Sequence, residues 1–309
     1  MRIVFMGTPE FSVPVLDTLI KSQHEVIRVI TQPDKPKGRG REVQMTPVKS
    51  KAVEYNIPVS QPVKVREEAF MKELKEWNPD VIVVIAFGQI LPKALLELPK
   101  YGCINIHASL LPKLRGAAPI QWAVIQGEEK SGVTIMQMDP GIDTGDILLK
   151  KEIILEKKET GGSLYDKLSK MGGDLILEAL DLAEKGQLHP IKQEDTLSSN
   201  VKMLDKALGR IDFSKPAVEI ERLIRGLNPW PSAYTFLDGK TLKIWDADVV
   251  EGKEEIAVGT VLAVTKDALI VQTGDQALAI KELQLEGKKR MDTSSFLRGF
   301  SVKEGTPLM

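Results

Sequence analysis

Four short apolar runs, at residues 3–6, 26–30, 81–85 and 103–106, alternate with helix-like stretches at 14–20 and 48–55 and with a helix closed by Trp77 and the turn Asn78-Pro79-Asp80. Apolar runs this short suit strands covered on both faces, and strands that alternate with helices pack as a parallel sheet with crossover helices. Further strands are expected at 132–137 and 147–154, then a helix at 163–184. Its Leu164, Leu168, Met171, Leu175 and Leu182 recur at helical spacing and read as core. The first strand runs into Gly7-Thr8-Pro9-Glu10-Phe11, with Pro9 and Ser12 where a dinucleotide-binding turn needs further glycines. Nicotinamide dinucleotide binding is therefore rejected, and Gly7 is expected only to shape the strand-to-helix turn. No Gly-x-x-x-x-Gly-Lys-[Ser/Thr] loop for a nucleoside triphosphate occurs either.

From about residue 186 to 208 the pattern turns polar and irregular, and 309 residues with 42% hydrophobic content supply core for two domains. The division expected is 1–186, a linker at 187–206, and 207–309. Beyond the linker a helix near 217–227 precedes five short strand-like runs at 233–237, 241–245, 259–264, 268–272 and 277–285, separated by Gly-containing turns. That size and strand number suit an OB-like barrel. The fold class expected is thus α/β, a Rossmann-like, mostly parallel sheet domain followed by a smaller OB-like β-barrel domain. Lys plus Arg number 42 against 43 Asp plus Glu, so any basic surface must be local. The lone Cys103 excludes an internal disulfide and a Cys-based zinc site, and no apolar run approaches the length of a membrane span. A soluble, cytoplasmic, monomeric protein is expected.

The chemistry concentrates between residues 105 and 146. Asn105-Ile106-His107 ends a strand, so period-two alternation puts Asn105 and His107 on one face at its carboxyl end, where open α/β sheets bind ligands. Ser109-Leu110-Leu111-Pro112 follows as a tight turn, then Leu114-Arg115-Gly116-Ala117-Ala118-Pro119, and later Pro140-Gly141-Ile142-Asp143-Thr144-Gly145-Asp146. An amide donor and a protonated imidazole can stabilise an oxyanion, and a carboxylate can orient the imidazole and take up a proton, which suits acyl transfer to an amine. Each of the three alone would be read as a cap, a turn former or a core residue. Together they are far more specific.

These motifs resemble the formyltetrahydrofolate-dependent formyltransferases, whose Asn-x-His, Ser-Leu-Leu-Pro and Gly-x-Asp-Thr-Gly segments form the catalytic and folate-contacting core. Met6-Gly7-Thr8-Pro9 and Gln32-Pro33-Asp34 extend the resemblance to the front of the chain. Gly209-Arg210-Ile211-Asp212-Phe213, Asn228-Pro229-Trp230-Pro231-Ser232-Ala233-Tyr234-Thr235, Gly287-Lys288-Lys289-Arg290-Met291 and Phe296-Leu297-Arg298-Gly299 extend it to the end, within the branch that formylates methionyl-tRNA. The resemblance implies 10-formyltetrahydrofolate as donor, initiator methionyl-tRNA as acceptor in translation initiation, catalysis by Asn105, His107 and Asp143, and no metal. It also implies folate contact at Ser109, Leu110, Leu111 and Pro112. Phe87, Gly88, Gln89 and Ile90, after another strand's carboxyl end, could wall the pterin.

The stretch from Pro33 to Met45 is too rich in Pro, Gly and charge to read as strand or helix, and long loops in compact domains are functional or disordered. Lys35, Lys37, Arg39 and Arg41 outnumber Asp34 and Glu42 there, and the resemblance implies that this insertion meets the acceptor end of the tRNA, with Arg39 important for recognition. Lys288, Lys289 and Arg290, with Arg298, form a second basic group that could hold the tRNA backbone or simply face solvent. Two alternatives stay open. Another folate formyltransferase or a formyltetrahydrofolate hydrolase could share the N-terminal constellation, and a non-catalytic RNA-binding protein could be built on the same frame.

Overall fold

The computed structural model describes residues 1–37, 42–253 and 255–309. It begins with β1 (Arg2–Gly7), α1 (Val13–Ile20), β2 (Glu25–Ile30), the short strands β3 (Lys35–Lys37) and β4 (Glu42–Gln44), α2 (Pro47–Glu54) and β5 (Val59–Ser60). Next come α3 (Glu68–Trp77), β6 (Val81–Ile85), α4 (Lys93–Leu96), β7 (Cys103–His107), β8 (Arg115–Gly116), α5 (Pro119–Ile125), β9 (Lys130–Gln137), β10 (Ile147–Ile154), α6 (Gly161–Glu184) and β11 (Asn200–Val201). Seven of the strands form one sheet in the order β10-β9-β7-β6-β1-β2-β5. The pairs β2–β5, β1–β2, β1–β6 and β6–β7 are parallel, and β7–β9 is antiparallel. The chain builds outward from β1 through β2 and then crosses to β6, so strand order reverses at β1. Loops at the carboxyl ends of β1, β6 and β7 therefore flank the position where such sheets bind ligands.

Every residue of β6 is buried, as an apolar run flanked by strands on both sides must be. On one face Val4, Met6, Ile82, Val84 and Cys103 pack with Phe70 and Leu74 of α3. On the other face α6 lies close, because Gly172 and Gly173 replace side chains where it crosses its neighbours. A Cβ on Gly172 would meet Ile106 at 3.0 Å, and one on Gly173 would meet Thr18 of α1 at 2.8 Å. Two adjacent glycines inside a helix cost about 1 kcal/mol each relative to Ala, and the close packing offsets that cost.

The stretch from Pro33 to Met45 is not structureless. β3 and β4 form a two-stranded antiparallel ribbon, with Lys35 opposite Gln44 and Pro36 opposite Val43. Both strands of such a ribbon are edges, the setting in which Pro is tolerated, so Pro36 does not prevent pairing. Below the ribbon Lys49 Nζ donates to Asp34, and Gln61 Nε2 donates to the other Asp34 oxygen at 2.7 Å. Lys49 holds the Asp34 carboxyl below the usual carboxylate range. Arg39 and Arg41 lie outside the described residues, as does the side chain of Lys37.

The described residues form two compact units, and their bounds differ from the division at residues 186–207. The first comprises Met1–Gly116, Ser131–Ile153 and Tyr165–Val201; the second comprises Ala117–Lys130, Ile154–Leu164 and Lys202–Met309. Residues 187–201, read above as linker, are stitched into the first unit. There β11 pairs in parallel with β8, the Arg115 amide donates to the Ser199 carbonyl at 2.8 Å, and the Leu114 amide donates to Ser199 Oγ at 2.9 Å. A segment without apolar periodicity reads as linker, yet short backbone ladders order it.

In the second unit α7 (Ala217–Gly226) precedes β12 (Ala233–Leu237), β13 (Lys240–Val250), β14 (Val261–Val264), β15 (Leu269–Gln272), β16 (Ala277–Leu285), β17 (Met291–Asp292) and α8 (Thr293–Gly299). The strands run β12-β13-β16-β15-β14, all antiparallel, with β17 on β16. β13 continues five residues past the run read from sequence, because its register against β16 shifts between Ile244 and Ala247. Such a bulge breaks the alternation by which a strand is recognised. The C-terminal segment meets both end strands: Gly305 donates to Val261 of β14 at 2.8 Å, and Met309 donates to Phe236 of β12 at 3.2 Å. The helix α5 packs on α7, where a Cβ on Gly226 would fall 2.4 Å from Ile125, so its neighbours are set by a close approach far along the chain.

Candidate active site

β7 delivers the central pair. Its register opposite β9 sets Asn105 against Met136 and His107 against Thr134, and its alternation buries Ile104 and Ile106 against the other face. Cys103, Asn105 and His107 share the remaining face. Burial pushes the Cys103 thiol up to about 12, so it serves as an apolar filler and not a nucleophile. Asn105 is half-buried, and His107 is 6% exposed.

Both ring nitrogens of His107 face oxygen. Nε2 is 2.9 Å from the Leu114 carbonyl, which can only accept, so Nε2 carries a proton. Nδ1 lies 3.6 Å from Asp143 Oδ2. That distance is too long for a direct hydrogen bond and is short enough to tighten, or to be bridged by water, when a substrate is bound. Nδ1 is thus the nitrogen free to exchange a proton. Asp143 Oδ2 also accepts from the Gly116 amide at 2.8 Å. Asp143 itself sits at φ 54, a left-handed conformation that Asp and Asn tolerate better than most residues.

The loop around Asp143 is built for close approach. Asp139 Oδ1 accepts from the Gly141 amide at 3.1 Å and from Thr144 Oγ1 at 2.7 Å. A Cβ on Gly145 would fall 1.8 Å from the Gln137 carbonyl oxygen, so no larger residue fits there. The carbonyls of Asp143 and Gly145 both accept from Gln193. Thus the structure brings Asn105, His107 and Asp143 together at the carboxyl end of β7, with the Gly116 amide on the carboxylate.

The residues read as folate contacts divide by burial. Ser109 and Leu111 are 1% and 0% exposed, and they shape the turn. Ser109 Oγ donates to the Lys113 carbonyl at 2.7 Å, and Leu111 packs with Met136 and Ile147. Thr134 locks the same turn, donating to the Ser109 carbonyl at 2.6 Å and accepting from the Leu111 amide at 3.1 Å. Leu110 and Pro112 remain half-buried. At the end of β6, Phe87 is buried in the core, and its carbonyl accepts from Thr8 Oγ1 and Gln32 Nε2, each at 3.2 Å. Its ring is therefore packing. Gln89 accepts from the Val65 amide at 3.0 Å, and Gly88 and Ile90 are exposed, Ile90 to 84%.

The basic residues are unequal. Lys35, Lys288 and Lys289 are exposed. Arg290 is committed within the second unit: Nε donates to Glu282 at 2.6 Å, and the guanidinium lies 4.7 Å from the Trp245 ring centroid. Arg298 is exposed and donates to Ser295 Oγ at 2.7 Å. Sequence reasoning missed Thr134 and Gln193. Thr134 is visible only as the strand partner of His107, and Gln193 is fifty positions from the loop that it touches.

Comparison with known proteins agrees with this geometry. Residues 1–180 match the family model described as formyl transferase, and residues 203–301 match that of the formyl transferase C-terminal domain. The chain is 55% identical to the methionyl-tRNA formyltransferase of Lachnospira eligens, covering 100% of this chain and 99% of that protein. It is 56% identical to that of Agathobacter rectalis, covering 99% of each. Among solved structures, the sugar 3N-formyl transferase WlaRD has a similar fold, with a TM-score of 0.68 at 22% identity over 94% of this chain and 99% of that one. An N-formyltransferase from Helicobacter canadensis gives a TM-score of 0.69 at 19% identity, over 94% of this chain and 100% of that one. A strand-end Asn-x-His, a facing Asp on a glycine-flanked loop and full-length likeness in both halves lead to one conclusion: the chain belongs to the formyl transferase family.

Proposed function

We propose that this enzyme transfers the formyl group of 10-formyltetrahydrofolate to the α-amino group of methionine on initiator tRNA. The observation that carries the reading is the Asp143 carboxylate 3.6 Å from Nδ1 of His107, two residues beyond Asn105 on the same strand face. In the reaction the methionine nitrogen bonds the formyl carbon, the carbon–N10 bond breaks, and one proton leaves the attacking nitrogen while one arrives at N10. Asn105 donates its amide N–H to the oxygen on which negative charge develops. His107, fixed through Nε2 by the Leu114 carbonyl, offers Nδ1–H to the same region. Asp143 accepts the amine proton, directly or through a water, balances the imidazolium, and gives that proton up through water to N10 as the carbon–N10 bond breaks, which restores the carboxylate. No metal enters this chemistry. The donor fits the ends of β6 and β7, where exposed Gly88 and Ile90 and half-buried Leu110 and Pro112 offer backbone groups and apolar surface.

The test is an assay with charged initiator tRNA and labelled 10-formyltetrahydrofolate. Label in formyl-methionyl-tRNA is the expected result. Release of free formate without tRNA modification would favour a hydrolase, and tRNA binding without transfer would favour a non-catalytic RNA-binding protein. The two full-length relatives above, named for methionyl-tRNA, support the first outcome.

The β3–β4 ribbon is assigned to the acceptor end of the tRNA, with Lys35, Lys37, Arg39 and Arg41 supplying charge. Arg39→Ala is expected to lower kcat/KM for charged initiator tRNA at least tenfold and to leave donor affinity unchanged, because a planar guanidinium suits phosphate and base-edge contacts. A salt series of formylation rates identifies the contact. Loss of a phosphate contact flattens the log–log slope by about 0.7 to 0.9, whereas loss of a base contact leaves the slope and reduces discrimination against elongator tRNA.

A further inference from the structure

The Asp143 loop is held by polar contacts, and its apolar side chain is not sealed in the core. Its neighbour Ile142 is 67% exposed, and Asp143 is held at a positive φ between two glycines. Besides the Asp139 carboxylate within the loop and the Gly116 amide on the Asp143 carboxylate, a side chain from residues 187–201 holds its backbone. Gln193 Nε2 donates to the carbonyls of Asp143 and of Gly145, each at 2.8 Å. Gln193 Oε1 accepts in turn from Arg115 Nε at 3.0 Å and Nη2 at 2.9 Å. The guanidinium is all donors, so it fixes which end of the amide faces it and leaves the NH2 end to face the loop. Arg115 is 5% exposed and is the residue next to Gly116, whose amide binds the Asp143 carboxylate. Its remaining partner, Asp195, is 84% exposed at the side chain, a contact that adds little. Arg115, Gln193 and Gly116 thus hold Asp143 by backbone and side chain at once.

We propose that Gln193 is a positioning residue for formyl transfer, acting through the Asp143 loop to keep the carboxylate beside Nδ1 of His107. The inference rests on the reading of Asp143 as the carboxylate of the transfer. Displacements near 1 Å at a reacting group cost about a hundredfold in rate. Loss of the clamp therefore belongs in kcat and not in substrate affinity.

Gln193→Glu separates this role from simple folding. The variant keeps an oxygen for Arg115, and it replaces the NH2 that faces the two carbonyls with an acceptor that repels them. The expected result is a kcat lower by about ten- to a hundredfold, with KM for each substrate within about threefold of wild type and a melting temperature within a few degrees. The decisive measurement is a double-mutant cycle with Asp143→Asn. If Gln193 acts through Asp143, the double variant loses no more than about threefold beyond Asp143→Asn alone. Effects that multiply, or a Gln193→Glu kcat equal to wild type, would overturn the proposal. A wild-type rate for Asp143→Asn alone would instead sink the reading of Asp143, a separate outcome. Should Gln193→Glu not fold, Gln193→Met removes the amide without adding charge and enters the same cycle.

Discussion

Alanine at either Asn105 or His107 is expected to lower kcat by about a hundredfold or more while leaving tRNA affinity intact. The size follows from the role: removing one preorganised oxyanion donor costs about 2.7–4 kcal/mol of transition-state stabilisation, more than any ground-state contact there would explain. Folding is expected to survive. Asn105 is half-buried, and His107→Ala removes one hydrogen bond to the Leu114 carbonyl, a cost of about 1–3 kcal/mol against a typical stability of about 5–15. Single-turnover rates at saturating donor and tRNA, alongside tRNA binding and thermal melts, are the measurements. Near-normal single-turnover rates in both variants would remove this strand end from the chemistry. His107→Gln adds a control, since a side-chain amide can still donate to the Leu114 carbonyl and so separates the support of that turn from proton exchange at Nδ1.

Much of the frame behind those residues is legible in the sequence, and the reasons are local. β6, β12 and β16 coincide with apolar runs because each is bounded by turn residues and largely covered by the core, whereas β10 is buried only at its start, Ile147 and Leu148. The pairing of Asn105 with His107 needs only strand alternation. The placement of Asp143 beside them needs the resemblance, because nothing in the spacing of 36 positions from His107 dictates a contact. What escaped is of one kind. Thr134, Gln193, the β8–β11 ladder and the packing of α5 on α7 are contacts between segments far apart in sequence, and no window of residues carries their signal. The β3–β4 ribbon escaped for another reason, since Pro, Gly and charge argue against a strand in a core and say nothing against a two-stranded ribbon outside one. Burial also divides residues that a motif presents alike. Leu110 and Leu111 are adjacent and chemically identical, yet only Leu111 is sealed beneath the turn.

Asp143→Asn is expected to reduce kcat by about a hundredfold and to change the shape of the pH–rate profile, because the carboxylate that takes up the amine proton is gone. The substitution suits the question better than alanine would. Asn tolerates the φ of 54 that residue 143 adopts, and its side-chain oxygen can still accept from the Gly116 amide. The loop therefore keeps its shape while the charge opposite Nδ1 of His107 disappears. If Asp143 served only to form its turn, Asn would replace it without loss, because an Asx-type turn uses the same oxygen. The two readings thus predict opposite results from one isosteric change. A rate and pH profile equal to wild type would assign Asp143 to loop geometry and leave Asn105 and His107 as the only side chains acting on the formyl group. A large loss of kcat with unaltered tRNA and donor affinity would place the lost interaction in the transition state, where a carboxylate that takes the amine proton must act.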